Sequence, residues 1–333
     1  MDKQNENNQN GKSKLSTNSR IPDTLFLYIS VITAQLISMA SGASMVWTSP
    51  VLGKLYSNNT EINPIGRPIT TIEVSMLAGI PTFTNILGIL FMPKLSDIFG
   101  RKRYLLYSGL VMLLSGVGLA FSNSVILMII TRSIFGFPGA WTVACLYAAE
   151  VSEDHNRGKF GCYFGILNQI GHLFGFIIGP FFSMRYFTLI ITSPLLIFLV
   201  IFMIMPETPM YLLAKGREDE CKIALRKLRS NKSEEEIESD LKQLKENQRK
   251  QSERAGKITD LVKKRENILA VIFGLIPVLD KYCSGVTVIF TFLAPFFDQA
   301  GTSLSGDLVA IKDLVEEECF SYLPLVQRYP CFY

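Results

Sequence analysis

The chain has 333 residues, of which 48% are apolar and 19% charged, with a formal net charge of +4. The charges are dense before Arg20 and between Glu218 and Arg265, and long stretches elsewhere carry none. This excludes an ordinary soluble globular protein, in which each surface helix needs a solvated face. The apolar stretches reach the roughly 20 residues that a helix needs to cross about 30 Å of hydrocarbon. The sequence therefore predicts an all-α, multi-pass membrane protein that lies in a lipid bilayer.

Residues 1–23 are predicted to be a disordered cytoplasmic tail. They are rich in Asn, Gln and Ser, and no short apolar core precedes a cleavage site, which argues against a signal peptide. Apolar runs then predict six spans that form one bundle over 24–206, followed by a seventh span. The predicted spans are 24–46, 71–94, 104–122, 124–148, 160–182, 186–205 and 267–296.

Basic residues near the span ends predict the orientation of the chain in a cell membrane. One side carries the lysines of the tail and Arg101–Arg103, whereas the other carries few basic residues, among them Lys54 and Arg67. Because loops rich in Lys and Arg stay in the cytoplasm, the N-terminus is predicted to be cytoplasmic. The loop 53–70 then lies outside, where Asn58-Asn59-Thr60 matches an N-glycosylation acceptor, so Asn58 is a candidate glycosylation site.

The charged segment 207–266 is predicted to form a cytoplasmic helical linker domain. Ser233 and Glu236 have the spacing of a capping box, and Ile237, Leu241 and Leu244 then fall on one helical face. These patterns favour short amphipathic helices at the membrane surface. The alternative interpretation is a flexible charged linker.

Two other classes of protein fit the sequence less well. A seven-helix receptor would place its N-terminus outside, against the distribution of positive charge. A membrane enzyme needs a cluster of reactive groups, but the sequence has only two histidines, His155 and His172, and no carboxylate cluster at one membrane depth. We therefore expect no catalytic residues, no metal site and no cofactor, and the net charge gives no reason to expect a nucleic-acid partner.

Three loop motifs carry charges at the ends of predicted spans. They are the segments Leu95–Arg103, Ala148–Arg157 and Pro206–Glu218. Each alone reads as ordinary charge that orients a membrane protein, but together they predict an ion-pair network across neighbouring helix ends. Such a network holds helices in one state and separates in another. Its predicted members are Asp97, Arg101, Glu150, Arg157 and Glu207.

With these motifs, the chain resembles the sugar-porter family of the major facilitator superfamily, and most closely the insect facilitated sugar or trehalose transporters. The family pattern D-x-x-G-R-K/R matches at 97–102, E-x6-R matches at 150–157, and P-E-S/T-P matches at 206–209. The pattern of the fourth span matches at Arg132 and Gly136, and the segments 44–55 and 167–175 resemble the first and fifth spans of the family.

The resemblance implies a fold of six plus six helices that carries a solute between its halves by alternating access. It implies facilitated transport of a hexose or trehalose, with Gln169, Ser284 and Thr287 in contact with the sugar. Gln35 in the first span either lines the same cavity or bonds a neighbouring helix. Arg132 is an intramembrane charge; no acid in 24–46 pairs with it, which favours a facilitator over a proton symporter. Alternatively, Arg132 bonds helix carbonyls and shapes the bundle.

The chain departs from the family pattern in the seventh span and after it. At 281–287 the two glutamines of the family are lost, and Asp280 and Lys281 each cost about 2.5–3.5 kcal/mol in a span unless paired or solvated. This indicates either an altered solute or loss of transport. After residue 312 the chain contains Glu316–Glu318 and no eighth span, so 297–333 is read as an aberrant tail of a truncated form. A non-transporting form that mispairs with full-length relatives, and a transporter of another polar solute, are therefore the alternatives.

Overall fold

The computed structural model describes residues 24–254 and positions 269, 276, 283–285, 288, 289 and 291–293. Every secondary-structure element in these residues is a helix, as the all-α prediction requires. The helices are α1 Leu25–Val46, α2 Thr48–Leu55, α3 Thr71–Phe99, α4 Arg101–Ala120, α5 Val125–Gly136, α6 Ala140–Val151, α7 Arg157–Ile178, α8 Met184–Thr192, α9 Pro194–Phe202, α10 Pro209–Ala214, α11 Glu218–Leu228 and α12 Glu234–Arg254.

Six stretches of the described chain are long and apolar enough to cross a membrane, and they correspond to the first six predicted spans. They are Leu25–Leu55, Thr71–Phe99, Arg101–Ala120, Val125–Val151, Arg157–Ile178 and Met184–Phe202. The predicted seventh span, 267–296, is represented only by isolated positions, and the predicted tails 1–23 and 297–333 lie outside the described residues. The domain boundaries in these regions stay predictions.

The ends of several helices differ from the predicted ones because local geometry decides them. The first span runs to Leu55 instead of residue 46, since α2 continues directly after Trp47. The second span runs five residues beyond its predicted end and stops at Gly100, whose φ of 97° is accessible to glycine at little cost. The fourth span is interrupted before α6 at Gly139, which has a φ of 53°.

Side-chain caps fix where three of the spans begin. The hydroxyl of Thr24 accepts a hydrogen bond from the backbone N–H of Leu27 at the start of α1. Thr70 and Glu73 form a complete capping box at the start of α3, and Ser124 caps α5. Each cap satisfies backbone donors of the first helical turn, which have no partner within the helix.

α1 lies at the centre of the bundle and packs against α6, α7 and α9. Its contact with α7 is between backbones. An added Cβ on Gly42 would lie 2.2 Å from the carbonyl oxygen of Asn168, and one on Gly171 would lie 2.1 Å from that of Met39. These separations are far below van der Waals contact, so only glycine fits at both positions.

The insert, which we define as α10–α12, has a small core of its own. Leu212 of α10, Leu225 of α11 and Ile237 of α12 are buried against one another. The predicted capping box is present, with the backbone N–H of Glu236 donating to the hydroxyl of Ser233. Within the described residues, the insert therefore consists of packed helices.

Polar contacts attach the insert to one end of the bundle, which we call the insert side. The hydroxyl of Thr24 donates to the carbonyl of Leu228, 2.6 Å away. Glu153, directly after α6, forms ion pairs with Arg229 at 3.4 Å and Lys232 at 2.8 Å. Both cations also bind Asp240 of α12. The four charges thus join the end of the fourth span to two helices of the insert.

Candidate functional site

A cluster of charges joins the ends of α3, α4 and α6 on the insert side. The guanidinium of Arg101 lies 3.0 Å from the carboxylate of Glu150 and 2.8 Å from that of Asp97. The side chains of Arg101 and Glu150 are each only 12% exposed. Glu150 also accepts a hydrogen bond of 2.5 Å from the hydroxyl of Thr208, at the start of α10. The pair is thus largely withdrawn from water and linked to the insert.

Glu207 lies in the same cluster but contacts backbone groups. Its carboxylate accepts hydrogen bonds from the backbone N–H of Lys102 at 2.9 Å and from that of Thr208 at 3.0 Å. A carboxylate at the N-terminus of α4 interacts favourably with the unpaired N–H groups and the helix dipole. The close approach depends on Gly100, since an added Cβ there would lie 2.4 Å from Glu207 Oε2.

The fifth predicted member of the network, Arg157, makes its contacts elsewhere. Its guanidinium lies 3.1 Å from the carboxylate of Asp154 and donates to the carbonyl of Ala149. Its side chain is 54% exposed. The structure therefore brings together Asp97, Arg101, Glu150 and Glu207, and places Arg157 beside them in a solvated position.

A cavity of about 220 Å³ lies between the middle parts of the first, second, fourth and fifth spans. Its wall carries both polar and aromatic side chains. The polar residues on the wall are Ser41, Ser44, Thr48, Thr82, Asn85, Arg132, Asn168 and Thr291, and the aromatic ones are Phe135, Trp141 and Phe164.

Arg132 forms part of the cavity wall and is held by oxygen atoms of two other spans. Its guanidinium donates to the hydroxyl of Thr48 at 2.6 Å, the carbonyl of Leu77 at 3.1 Å and the carbonyl of Ser44 at 3.4 Å. It also lies 4.9 Å from the ring centroid of Trp47. These contacts correspond to the alternative interpretation, in which Arg132 bonds helix carbonyls and shapes the bundle. Among the described residues that line the cavity, none is a carboxylate.

Two predicted sugar contacts, Gln35 and Gln169, lie off the cavity wall as the structure describes it. Gln35 is fully buried, accepts a hydrogen bond from the hydroxyl of Ser38 and donates to the carbonyl of Ala144 on α6. These contacts correspond to the alternative interpretation, in which Gln35 bonds a neighbouring helix. Gln169 is bonded to the ring of His172, 2.6 Å away, and its neighbour Asn168 is the residue that reaches the wall.

The remaining predicted site residues lie in loops or toward the C-terminus. Asn58 is exposed in the loop between α2 and α3, where a glycan could be attached. Ser284 is exposed. Thr287, Asp280 and Lys281 lie outside the described residues.

The sequence interpretation missed the aromatic part of the cavity wall. The rings of Trp141 on α6 and Phe164 on α7 are stacked, with centroids 5.5 Å apart and planes at 21°. On the wall of the same cavity, the amide oxygen of Asn85 is buried and has no hydrogen-bond partner among the described residues. One signal was available, since Trp141 is one of two tryptophans in the sequence and falls in the middle of a span.

Comparison with known proteins shows the family. Residues 9–312 match the family described as Sugar (and other) transporter. The chain is 26% identical over 310 residues to the facilitated trehalose transporter Tret1 of Polypedilum vanderplanki, covering 91% of this chain and 60% of the relative. It is 25% identical to the solute carrier family 2, facilitated glucose transporter member 6 of Mus musculus, covering 84% of this chain and 54% of the relative. The chain thus spans 60% or less of the length of these two relatives.

Solved structures show the same fold. The xylose transporter XylE from E. coli, in a partially occluded inward open conformation, superposes with a TM-score of 0.69 at 19% identity, covering 90% of this chain and 72% of that one. A structure described as the proton:xylose symporter XylE bound to 6-bromo-6-deoxy-D-glucose superposes with a TM-score of 0.68 at 18% identity, covering 85% and 65%. The chain belongs to the Sugar (and other) transporter family of the major facilitator superfamily and has the fold of its N-terminal half.

Proposed function

We propose that this chain takes part in facilitated movement of a sugar, a hexose or trehalose, across the cell membrane by alternating access. The observation that carries the proposal is a cavity with polar and aromatic side chains, lined by the middle parts of four spans in a bundle of the sugar transporter family. Hydroxyl and amide groups on its wall, such as Ser44, Thr48 and Asn168, both donate and accept hydrogen bonds, which suits a neutral polyhydroxy solute. The names of the relatives, trehalose and glucose transporters, support the same class of solute.

Facilitated transport, without proton coupling, is supported by the surroundings of Arg132. A proton-coupled mechanism needs a carboxylate that binds and releases a proton beside the solute or its partner arginine. The hydrogen bonds of Arg132 go to a hydroxyl and two carbonyls. The described residues that line the cavity include no carboxylate that could carry a proton.

The charged cluster on the insert side is proposed to stabilise one of the states of the transport cycle. Arg101, Glu150 and Glu207 join the ends of α4 and α6 to the start of α10 through ion pairs and hydrogen bonds. These ion pairs and hydrogen bonds either form together or separate together, as an element with two states requires. We place this side, with the N-terminus, in the cytoplasm, because its loops carry most of the basic residues.

The test is uptake by the purified 333-residue chain in liposomes, with labelled glucose and labelled trehalose. We expect saturable uptake of at least one sugar that persists when the proton gradient is collapsed. A chain that binds sugar but moves none would overturn the proposal and favour the non-transporting alternative. That alternative then predicts that co-expression lowers sugar uptake by a full-length relative. Binding of neither sugar would favour another polar solute.

A further inference from the structure

The aromatic side chains on the cavity wall suit a solute that contains a sugar ring. We propose that the outer face of the Trp141 ring, which is held in place by stacking on Phe164, receives the apolar face of a sugar ring, while the amide of Asn85 binds a hydroxyl at the edge of that sugar. This assigns a pyranose-binding subsite to three residues that the family motifs do not include, and it rests on the proposed function in sugar transport. The occupant is a six-membered sugar ring, free or as one unit of a disaccharide.

The geometry of the aromatic pair is the first argument. Trp141 and Phe164 belong to different spans, and both line the cavity. Their near-parallel stacking, with centroids 5.5 Å apart and planes at 21°, fixes the orientation of both rings. The outer face of Trp141 is thus pre-oriented, and it binds an apolar partner at a small entropic cost because little side-chain freedom is lost on binding.

The unpaired amide oxygen of Asn85 is the second, independent argument. Buried polar atoms in proteins nearly always have a hydrogen-bond partner, because leaving one unpaired costs free energy. The oxygen of Asn85 is buried without such a partner among the described residues, and Asn85 forms part of the cavity wall. A solute hydroxyl in the cavity would supply the missing donor.

The two features together select for a ring. A pyranose presents C–H groups on its faces and hydroxyl groups around its edge, so one molecule contacts an aromatic surface and an amide at the same time. An open-chain polyol with the same hydroxyl groups has no fixed apolar face. The subsite therefore predicts stronger binding of glucose than of sorbitol, whereas hydrogen bonding alone predicts similar binding of the two.

The experiment measures equilibrium binding of labelled glucose to the purified 333-residue chain in lipid nanodiscs, with unlabelled trehalose and sorbitol as competitors. We expect Trp141→Leu to weaken glucose binding about tenfold, and Trp141→Phe, which keeps an aromatic face, by about twofold. Asn85→Leu, which keeps the approximate size but removes the amide, should weaken it about fivefold. Phe83→Leu on the same helix as Asn85 is the control: this ring is 62% exposed on the outer face of α3, and binding should not change.

Tryptophan fluorescence gives a second readout that a purely structural role would not alter. The chain has two tryptophans, and Trp47 is fully buried with its indole N–H bonded to Thr188. Glucose should change the emission of the wild-type chain. The change should disappear in Trp141→Phe even though that variant still binds glucose, and this comparison holds even if Trp141→Leu fails to fold.

The outcomes separate this inference from the proposed function. If glucose or trehalose binds but Trp141→Leu and Asn85→Leu bind like the wild type, or if sorbitol competes as well as glucose, the subsite is wrong and sugar transport still stands. If the wild-type chain binds no pyranose, both are overturned. Selective loss in the two cavity variants, with the Phe83→Leu control unchanged, supports the subsite.

Discussion

At the scale of single residues, Arg101 and Arg157 belong to the same group of loop motifs but differ in their exposure to solvent. Arg101 is 12% exposed and pairs with Glu150, whereas Arg157 is 54% exposed and pairs with Asp154. Removing one partner of a desolvated pair leaves the other charge without compensation, while an exposed pair contributes little because water solvates both groups.

We therefore predict that Arg101→Gln lowers the free energy of unfolding by about 3 kcal/mol. The matched variant Arg157→Gln should lower it by about 0–1 kcal/mol. Denaturant titration of the purified chain in detergent measures both. Equal losses in the two variants would show that the Arg101–Glu150 pair is no more desolvated than the exposed one.

Asn63 organises the loop between α2 and α3. Its amide nitrogen donates to the carbonyls of Leu55, Ser57 and Arg67 at 2.7–3.0 Å, and its side chain is buried. Asn63→Asp replaces this donor with a carboxylate facing carbonyl oxygens, so we expect a loss of about 2 kcal/mol in loop stability. Faster hydrogen exchange at Ile69, whose N–H bonds the carbonyl of Leu55, would report it.

The control for this prediction lies four residues earlier. The side-chain oxygen of Asn59 accepts a hydrogen bond from the N–H of Glu61, and Asp at this position can still accept it. Asn59→Asp should therefore leave exchange at Ile69 unchanged. Similar exchange rates in the two variants would contradict the organising part given to Asn63.

At the scale of elements, the attachment of the insert depends on charge. Burial raises the pKa of the Asp240 carboxyl, but hydrogen bonds from Lys232 and the charge of Arg229 outweigh burial and hold the pKa below its usual value. The folded chain thus binds this proton less tightly than the unfolded chain. The stabilisation is complete above the unfolded pKa of about 4 and is lost as the pH falls through the folded pKa.

We predict that hydrogen exchange in α11 and α12 accelerates as the pH is lowered through this range, after correction for the intrinsic exchange rate. Asp240→Asn should weaken the insert already at pH 7 and remove this part of the pH dependence. Glu238→Gln on the same helix, where the side chain is 55% exposed, is the control and should behave like the wild type. A pH profile unchanged by Asp240→Asn would contradict the prediction.

The helices also show which features of the fold could be predicted from the sequence. Hydropathy located the six spans, and the capping box at Ser233–Glu236 located the start of α12, because both depend on local sequence. The direction of polar residues within a span was not predictable in the same way. For Gln35 the sequence left two positions open, the cavity or a contact with a neighbouring helix, because an apolar helix surrounded by lipid and protein has no solvated face to reveal its orientation. In the structure its amide donates to the carbonyl of Ala144 on α6.

The cavity wall required tertiary contacts that no sequence spacing encodes. Trp141 and Phe164 lie 23 positions apart and meet only because α6 and α7 pack together. Likewise, charged loop motifs identified Asp97, Arg101, Glu150 and Glu207, but the turn of the chain after α6 decides that Arg157 pairs with Asp154 and not with these residues. Motifs identify the residues, and packing decides which of them meet.

At the scale of the whole molecule, the spans are unequally covered. In the first span 56% of the residues in its most apolar stretch are buried, against 22% in each of the second and fifth. The two exposed spans also carry polar residues on the cavity wall, Asn85 on α3 and Asn168 on α7. In the family fold, a second bundle faces the first across the solute site, and we propose that these two spans form the surface that meets it.

The orientation of the whole molecule predicts where a glycan is attached. Asn58 is exposed on the loop between α2 and α3, opposite to the insert side. We predict that the chain expressed in animal cells carries one glycan, detected as a mobility shift that a glycosidase removes. Asn58→Gln and Thr60→Ala should each abolish the shift, whereas Asn59→Gln should preserve it. A shift that survives Asn58→Gln would contradict the assignment.

The contacts of Glu207 and Leu228 also set an order of events during synthesis. The N–H of Lys102 bonds the carboxylate of Glu207, which is synthesised 105 residues later. The hydroxyl of Thr24 bonds the carbonyl of Leu228, which is synthesised 204 residues later. At roughly 5–20 residues per second, the ribosome needs about 5–20 s to deliver the first partner and about 10–40 s to deliver the second. Until then the beginnings of α1 and α4 lack these partners, so the newborn chain depends for that interval on water, lipid head groups or the translocation machinery to occupy them.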